Sequence, residues 1–466
     1  MKDKFIKPYH LFTHRGNWFL INIEGMLSAS IAEATAAAIK TIPAVTGSVL
    51  EPSTQEQLKK LELISEGRWQ AKRRKAVKHE PVPIVNVALF LTQSCNLKCI
   101  YCYEGNRKYE GGNSMDQRTA FQAVDWLIYQ SGKTKKLQIG FFGGEPFLNF
   151  PLMKAVVEYT KKRIQGTEKE VNFHVTTNAT LLSDEKIAFI KEHNILVMIS
   201  FDGPKEVQDA QRPFVNGEGS YDSTLPKIKK LLEVLPKTPG HAIITTNSNP
   251  QLIKDALQEI GFSEVTLTLA SASLFDGDSG KIAPGRDIES MLSWMEEEAE
   301  TWISYSKNRN KEVLNKLMST GRLYQAILAF LHNSKRYYPC GAGLESVGIS
   351  CSGDVYLCHR FVGLEKYKLG NVFNQHLDRE EYLKSPLTCS EACGDCFAKY
   401  YCAGGCKHDN AGSMGSISTP AQDICLLKRR EIELAAYISC TLNDQDRAFL
   451  IEHNIFPPKP CPLDFG

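Results

Sequence analysis

Cys95-Asn-Leu-Lys-Cys99-Ile-Tyr-Cys102 decides the reading of this 466-residue chain. Three cysteines fall on one short loop, directly after the apolar stretch Ile84–Thr92. Thiolates at CxxxCxxC spacing can hold three irons of a [4Fe-4S] cluster and leave the fourth iron without a protein ligand. An open iron can bind and reduce a substrate or cofactor. The plain alternative is a structural zinc knot, but such zinc takes four ligands, and no neighbouring residue offers an obvious fourth.

Working outward, the chain has 14 cysteines: three on this loop, none between Cys102 and Cys340, and the others from Cys340 onward. Disulfides fit poorly in a reducing cytoplasm, and closely spaced cysteines in a cytosolic enzyme more often hold metal. A cytoplasmic location is expected. No apolar run approaches the roughly 18 residues of a membrane helix, and the start, MKDKFIKPYHLF, lacks a secretory hydrophobic region. A formal net charge of +2 gives no pointer to nucleic acid or to an acidic membrane surface. The length suggests two or three domains.

Around the cysteine loop, strand and helix patterns alternate. Ile84–Thr92, Leu137–Phe142, Val171–Thr176, Leu196–Phe201, Ala242–Thr246 and Glu264–Leu269 read as strands. Met115–Gln130, Leu152–Ile164 and Asp184–His193 are amphipathic helical stretches between them. Six βα units in series predict an α/β fold with a parallel sheet, either open or closed into a partial (β/α)6 barrel. In such barrels the chemistry sits at the C-terminal ends of strands. The polar segments fall there: Gly143-Gly144-Glu145-Pro146 after the second strand, Thr176-Thr177-Asn178 at the third, Ser200-Phe201-Asp202-Gly203 at the fourth. Glycines admit close approach of the backbone to a ligand, and a carboxylate such as Glu145 can accept hydrogen bonds from an ammonium.

CxxxCxxC with an aromatic residue, Tyr101, before the last cysteine, followed by these segments in this order, resembles the radical S-adenosylmethionine superfamily over about residues 84 to 300. The resemblance implies that Cys95, Cys99 and Cys102 ligate a [4Fe-4S] cluster whose open iron takes S-adenosylmethionine. One-electron cleavage then releases a 5′-deoxyadenosyl radical. It further implies cofactor contacts from Tyr101, Gly143, Gly144 and Glu145, with Asn178 and Ser200 on the ribose and methionine moieties and Arg212 on the carboxylate.

The last third carries Cys340-Gly-Ala-Gly, then Cys351, then Gly353 five positions before Cys358. It continues with Cys393-Gly-Asp-Cys396, Cys402, Cys406 and Cys425. The string Cx2Cx5Cx3C followed by one more cysteine looks like a SPASM domain, which carries two auxiliary [4Fe-4S] clusters, making three in all. By that pattern Cys393, Cys396, Cys402 and Cys425 ligate the distal cluster, and Cys340, Cys358 and Cys406 the proximal one. The family usually supplies another cysteine soon after the first, and residues 341 to 350 contain none. Either Cys351 is the fourth ligand or the position is open for a substrate thiolate. Cys389, Cys440 and Cys461 are left over, most simply as free thiols. A zinc ribbon is the alternative for the CxxC pair.

At the other end, His10–Phe12 and Trp18–Met26 read as strands, Ala32–Ile42 and Gln55–Glu66 as helices. This predicts a winged-helix-like module over residues 1–80, before the barrel at 81–310 and the cluster domain at 311–466. The basic stretch Lys72–Lys78, ahead of Pro81 and Pro83, reads as a solvated linker. SPASM proteins modify peptides or proteins; the run from Cys340 through CHRFVGLEKYKLGNV, with ACGDCFAKYYCAGGCKHDN, resembles maturases that install thioether crosslinks, and the start, PYHLFTHRGNWFLINIEGM, is similar to the quinohemoprotein amine dehydrogenase maturase group and its relatives acting on ribosomal peptides. That likeness implies thioether crosslinks from Cys sulfur to a carbon of Asp or Glu. It implies a precursor peptide with a leader and core cysteines, and a flavodoxin- or ferredoxin-type electron donor. The N-terminal module would take the leader by strand addition. Rival outcomes are sulfatase-type oxidation, a carbon–carbon crosslink, or a zinc-binding scaffold without catalysis. His359, His408, Asp395 and Asp409 flank cluster cysteines, where polar residues usually support the ligands. None is singled out as a general base.

Overall fold

The computed structural model describes residues 4–41, 45–46, 51–66, 82–104, 114–246, 248–271, 274, 285–384 and 391–457. The basic stretch Lys72–Lys78, Cys389 and Cys461 lie outside these.

Two small antiparallel sheets open the chain. In one, β1 (Lys4–Ile6) lies between β5 (Val45–Thr46) and β6 (Ile64–Glu66); the other is a meander of β2 (Tyr9–His14), β3 (Asn17–Asn22) and β4 (Leu27–Ile31). The continuous apolar run of β3 marks burial on both faces. Phe19 and Ile21 pack into the main core, while Leu20 packs on helices Glu33–Thr41 and Pro52–Lys60 through Ala36, Ile39 and Leu58. The expected strand Trp18–Met26 stops at Asn22, because Asn22 builds a turn. Its Oδ1 accepts from Gly25 N at 2.9 Å, its Nδ2 donates to Leu61 O at 2.7 Å, and Met26 turns left-handed at φ 51°. The expected helix Gln55–Glu66 likewise gives way at Glu62 (φ 53°), and Ile64–Glu66 becomes strand instead.

All six expected barrel strands form: β7 (Asn86–Thr92), β8 (Lys136–Gly143), β9 (Glu170–Thr177), β10 (Leu196–Ser200), β11 (Gly240–Ile244) and β12 (Val265–Leu269). Each pairs in parallel with the next, and amphipathic helices cover the outside. Helix Gln117–Gln130 starts where Asp116 accepts from Thr119 N, and helix Asp184–Glu192 where Ser183 accepts from Lys186 N. Phe90, Phe141 and Phe201 are fully buried at the centre of the packing.

The sheet does not end with these six. β13 (Ser346–Ile349) pairs in parallel with β7 on its free side, and β14 (Asp354–Tyr356) and β15 (Lys368–Asn371) continue antiparallel to give nine strands. The cysteine-rich third therefore covers an edge that would otherwise expose unpaired backbone groups. Its long helix Gln422–Thr441 packs on helix Ile288–Lys307 and on β4, with Tyr437 edge-on to Phe19 at 5.6 Å. Among the described residues no helix is long and apolar enough to cross a membrane.

Candidate active site

The cysteine loop leaves β7 at Thr92 and is fastened by its backbone. Lys98 N donates to Pro213 O at 2.8 Å, Ile100 N to Gln211 O at 3.0 Å, and Leu97 bridges Phe214. Cys95, Cys99 and Cys102 are drawn close enough for their charges to be felt mutually, with Cys102 exposed. Burial pushes the thiols of Cys95 and Cys99 up to about 12, so thiolates form there only if positive charge arrives with a metal. Among the described residues no three His, Cys, Asp or Glu side chains converge as ligands of a single ion. Thiolates at the corners of a cube need a wider spread than ligands of one tetrahedral zinc, and three cysteines on one loop are the donor set a [4Fe-4S] cluster takes.

Gly143 and Gly144 bring the end of β8 against this loop. A Cβ on Gly143 would lie 1.9 Å from Thr92 O, at φ +127°; one on Gly144 would lie 2.2 Å from Ser94 O and 2.9 Å from Cys95 N. The obstacles are backbone atoms and cannot rotate away. Gly144→Ala is therefore expected to push the Cys95 segment outward and to lose most of the iron of the first cluster, read as a fall of about four irons per chain after anaerobic reconstitution. Full iron content in that variant would contradict this tight packing.

Glu145, expected to face an ammonium, is turned into the protein at 1% exposure. Its carboxylate accepts from Thr177 Oγ1 at 2.8 Å, Phe147 N at 3.1 Å and Asn178 N at 2.9 Å. Burial nevertheless pushes it up to about 7. It ties the end of β8 to the end of β9, leaving about one acceptor site for a ligand. Asn178 points at the loop, donating to Asn96 Oδ1 at 3.1 Å and to Cys95 Sγ at 3.8 Å.

Asp202, in the Ser200–Gly203 segment at the end of β10, is the polar centre of the site. Fully buried, it accepts from Tyr101 Oη at 2.5 Å, Gln211 Nε2 at 3.1 Å and Ile243 N at 3.0 Å. It also takes Arg212 in a bidentate pair, both contacts at 3.0 Å. Arg212 spends two of five donors there and stacks on Tyr101 at 5.2 Å. Its charge reaches Cys99, so further donors are available beside the loop. Ser200 ends β10 half-buried, its neighbour His241 donating to or accepting from Thr268 Oγ1 at 3.0 Å. Burial, with Arg212 next to it, pushes His241 down to about 4, which leaves it neutral.

The C-terminal cysteines gather in two sets. Cys393, Cys396, Cys402 and Cys425 share one field, with Arg429 donating to the Cys396 thiol and Lys428 beside Cys402. Buried Glu431 supports this set from below, binding Arg322 at 2.6 Å and Lys428 at 2.8 Å. Cys340, Cys358 and Cys406 form the second set, faced by Lys407, whose Nζ donates to Ala342 O at 2.9 Å. Cys351 is not brought to them. Its thiol donates to Phe90 O at 3.2 Å, inside the core beside β7, and its charged neighbour is Glu104. Cys351 follows β13, and the pairing of β13 with β7 fixes its side chain on the barrel. Cys440, one of the leftover cysteines, is a free thiol donating to Ser28 Oγ at 3.5 Å.

Tyr103 and Arg360, to which the sequence assigns no role, join His359 between the cysteine loop and Cys358. Arg360 lies over the Tyr103 ring at 5.5 Å, and His359 stands 4.7 Å from the Phe142 ring. Their position two residues or fewer from a cluster cysteine was the available signal. His408 is fully buried between the rings of Tyr103 and Phe361 at 5.6 and 5.4 Å, a supporting place.

Comparison with known proteins bears on the family and the fold. The family profile of the radical SAM superfamily matches residues 89–270. An uncharacterised protein of Methanocaldococcus jannaschii is 30% identical over 308 residues, covering 66% of this chain and 94% of that relative. A cysteine-type anaerobic sulfatase-maturating enzyme of Clostridium novyi is 24% identical over 339 residues, 68% of this chain and 86% of the relative. Streptococcus suis SuiB, solved bound to its precursor peptide SuiA, has a TM-score of 0.51 at 16% identity, covering 91% of this chain and 99% of that one. This last likeness is one of fold.

Proposed function

The chain belongs to the radical SAM superfamily, and on that premise we propose that it matures a ribosomally made peptide, joining Cys sulfur to a side-chain or backbone carbon, with Asp or Glu as the favoured acceptor. The relatives support a peptide as substrate: one matures sulfatases, and SuiB binds its precursor peptide. The observation that carries the thioether reading is the proximal set. Cys340, Cys358 and Cys406 stand together while Cys351 is held in the core, so a fourth ligand position stays available to a substrate thiol.

When bound, the first cluster and S-adenosylmethionine supply a carbon radical able to take hydrogen from an unactivated C–H bond. The chain's own residues do the rest. Cys95, Cys99 and Cys102 hold the cluster, the Asp202–Arg212–Tyr101 assembly fixes its loop, and Arg212 keeps donors available for a carboxylate. Asn178 and Ser200 stand at strand ends where ribose and methionine groups would lie. Half-buried Tyr103, Phe142 and His359 stand in ring contact between the cysteine loop and Cys358. Each crosslink removes two hydrogens from the peptide, and an iron–sulfur cluster held by the C-terminal cysteines would supply a sink for the surplus electron. An external reductant of flavodoxin or ferredoxin type fits the need for a low-potential electron.

The N-terminal meander, closed against the Gln422–Thr441 helix on one face, suits a leader docking as an added strand. The chemistry is tested by Cys340→Ala. This variant is expected to retain cleavage of S-adenosylmethionine to 5′-deoxyadenosine and to lose thioether formation on a co-expressed precursor peptide at least about a hundredfold. Undiminished crosslinking would contradict a role for the proximal set. A carbon–carbon bond or oxidation of a serine would instead leave every substrate thiol open to alkylation, and sulfatase-type oxidation of a cysteine would remove its sulfur from the peptide.

A further inference from the structure

We propose that Arg360 is a carboxylate-binding residue of the substrate cavity, receiving the side chain of an acidic residue in the peptide and so selecting Asp or Glu as the acceptor. The inference rests on the peptide-maturation reading above and deepens it.

Arg360 stands where three parts of the site meet. It follows Cys358 by two residues, its guanidinium lies over the ring of Tyr103 just after Cys102, and its NH1 donates to Ser271 Oγ at 2.5 Å beyond the end of β12. Cys358 and Cys406 lie within reach of its charge. A group bound to it therefore sits between the radical end and the auxiliary thiols.

The buried guanidinium groups around it are already matched. Arg212 is paired with Asp202 in two contacts at 3.0 Å, and Arg286 with Asp409 at 3.0 Å and Asp423 at 2.6 Å. Among the described residues the carboxylate Arg360 approaches is Asp409, at 3.9 Å, and the oxygen it approaches is the one Arg286 holds. Its close hydrogen bond goes to a neutral hydroxyl. A guanidinium carries five donors and cannot shed its charge, so in a largely desolvated place it favours an anion. Its planar fork matches a carboxylate in two parallel hydrogen bonds. With 20% of the side chain exposed, part of the guanidinium remains open to an incoming group. The thiolates of Cys358 and Cys406 are the competing anions, and with iron bound their charge is shared with the metal.

The test uses the full-length enzyme, reconstituted anaerobically and saturated with S-adenosylmethionine. The probes are N-acetyl-aspartate N-methylamide and its asparagine counterpart, followed by saturation-transfer NMR. The aspartate probe is expected to bind at least about tenfold more tightly than the asparagine probe. Arg360→Gln should erase that preference and leave the affinity for S-adenosylmethionine unchanged, while Arg360→Lys keeps part of it. If Arg360→Gln fails to load iron, Ser271→Ala, which removes the hydroxyl that fixes the orientation of the guanidinium, should weaken the aspartate probe about threefold. Equal binding of the two probes, no binding of either, or a preference that survives Arg360→Gln would overturn the proposal. So would a parallel loss of S-adenosylmethionine affinity, since the carboxylate would then be the cofactor's. An Arg360-dependent aspartate preference in an enzyme that forms no thioether would retire the thioether reading and keep this site. Thioether formation with no such preference would do the reverse.

Discussion

Asp202→Ala is expected to lower folding stability by about 3–5 kcal/mol, because it strands the guanidinium of Arg212 in the protein interior without a counter-charge. The same change removes the acceptor of Tyr101 Oη and of Ile243 N, two groups that hold the cysteine loop and β11 in place. Loss of the Tyr101 anchor, one residue before Cys102, should also reduce loading of the first cluster. Anaerobic denaturant titration against wild type, with iron content measured alongside, reads both effects. Asp202→Asn keeps the shape and two acceptor contacts but not the charge, and should fall between the two. A shift below about 1 kcal/mol for Asp202→Ala would mean that the pair contributes only what an exposed ion pair does.

Replacing Cys95, Cys99 and Cys102 together by alanine carries the largest expected functional effect. Wild type should hold about twelve irons with matching labile sulfide, as three [4Fe-4S] units require, and the triple variant about eight. Reductive cleavage of S-adenosylmethionine should fall to background while the C-terminal sets keep their metal. These sets lie on a different stretch of chain, and each closes on its own cysteines. A triple variant that loses no iron would remove the first cluster from the account. Little iron in wild type would reopen the zinc-scaffold alternative.

Much of this was legible in the sequence because it is local. Strand periodicity and the order of polar segments after each strand placed Cys95, Glu145, Asn178 and Asp202 at one end of one sheet, and the structure has them there. What escaped depends on contacts between distant parts of the chain. Nothing in the pattern of Ser346–Ile349 announces that it pairs with β7, yet that pairing carries Cys351 into the core and away from Cys340, Cys358 and Cys406. The spacing alone left Cys351 open as a ligand. β4, Leu27–Ile31, was missed because its small residues weaken the alternation, and Asn22 ended β3 early through side-chain bonds that no propensity records. Glu145 has the residue type expected of a ligand contact but is occupied by Thr177, Phe147 and Asn178, a distinction that only geometry supplies. Arg360 sits in plain sequence view beside Cys358, but that no carboxylate among the described residues holds it closely becomes visible only once Arg286 is seen holding Asp409.

The most direct test of the central claim is tandem mass spectrometry, with thiol alkylation, of a precursor peptide co-expressed with the enzyme. The account predicts a loss of two hydrogens per crosslink, core cysteines that resist alkylation, and fragments joining each sulfur to an acidic residue. A product lighter by two hydrogens whose cysteines all still alkylate would contradict it.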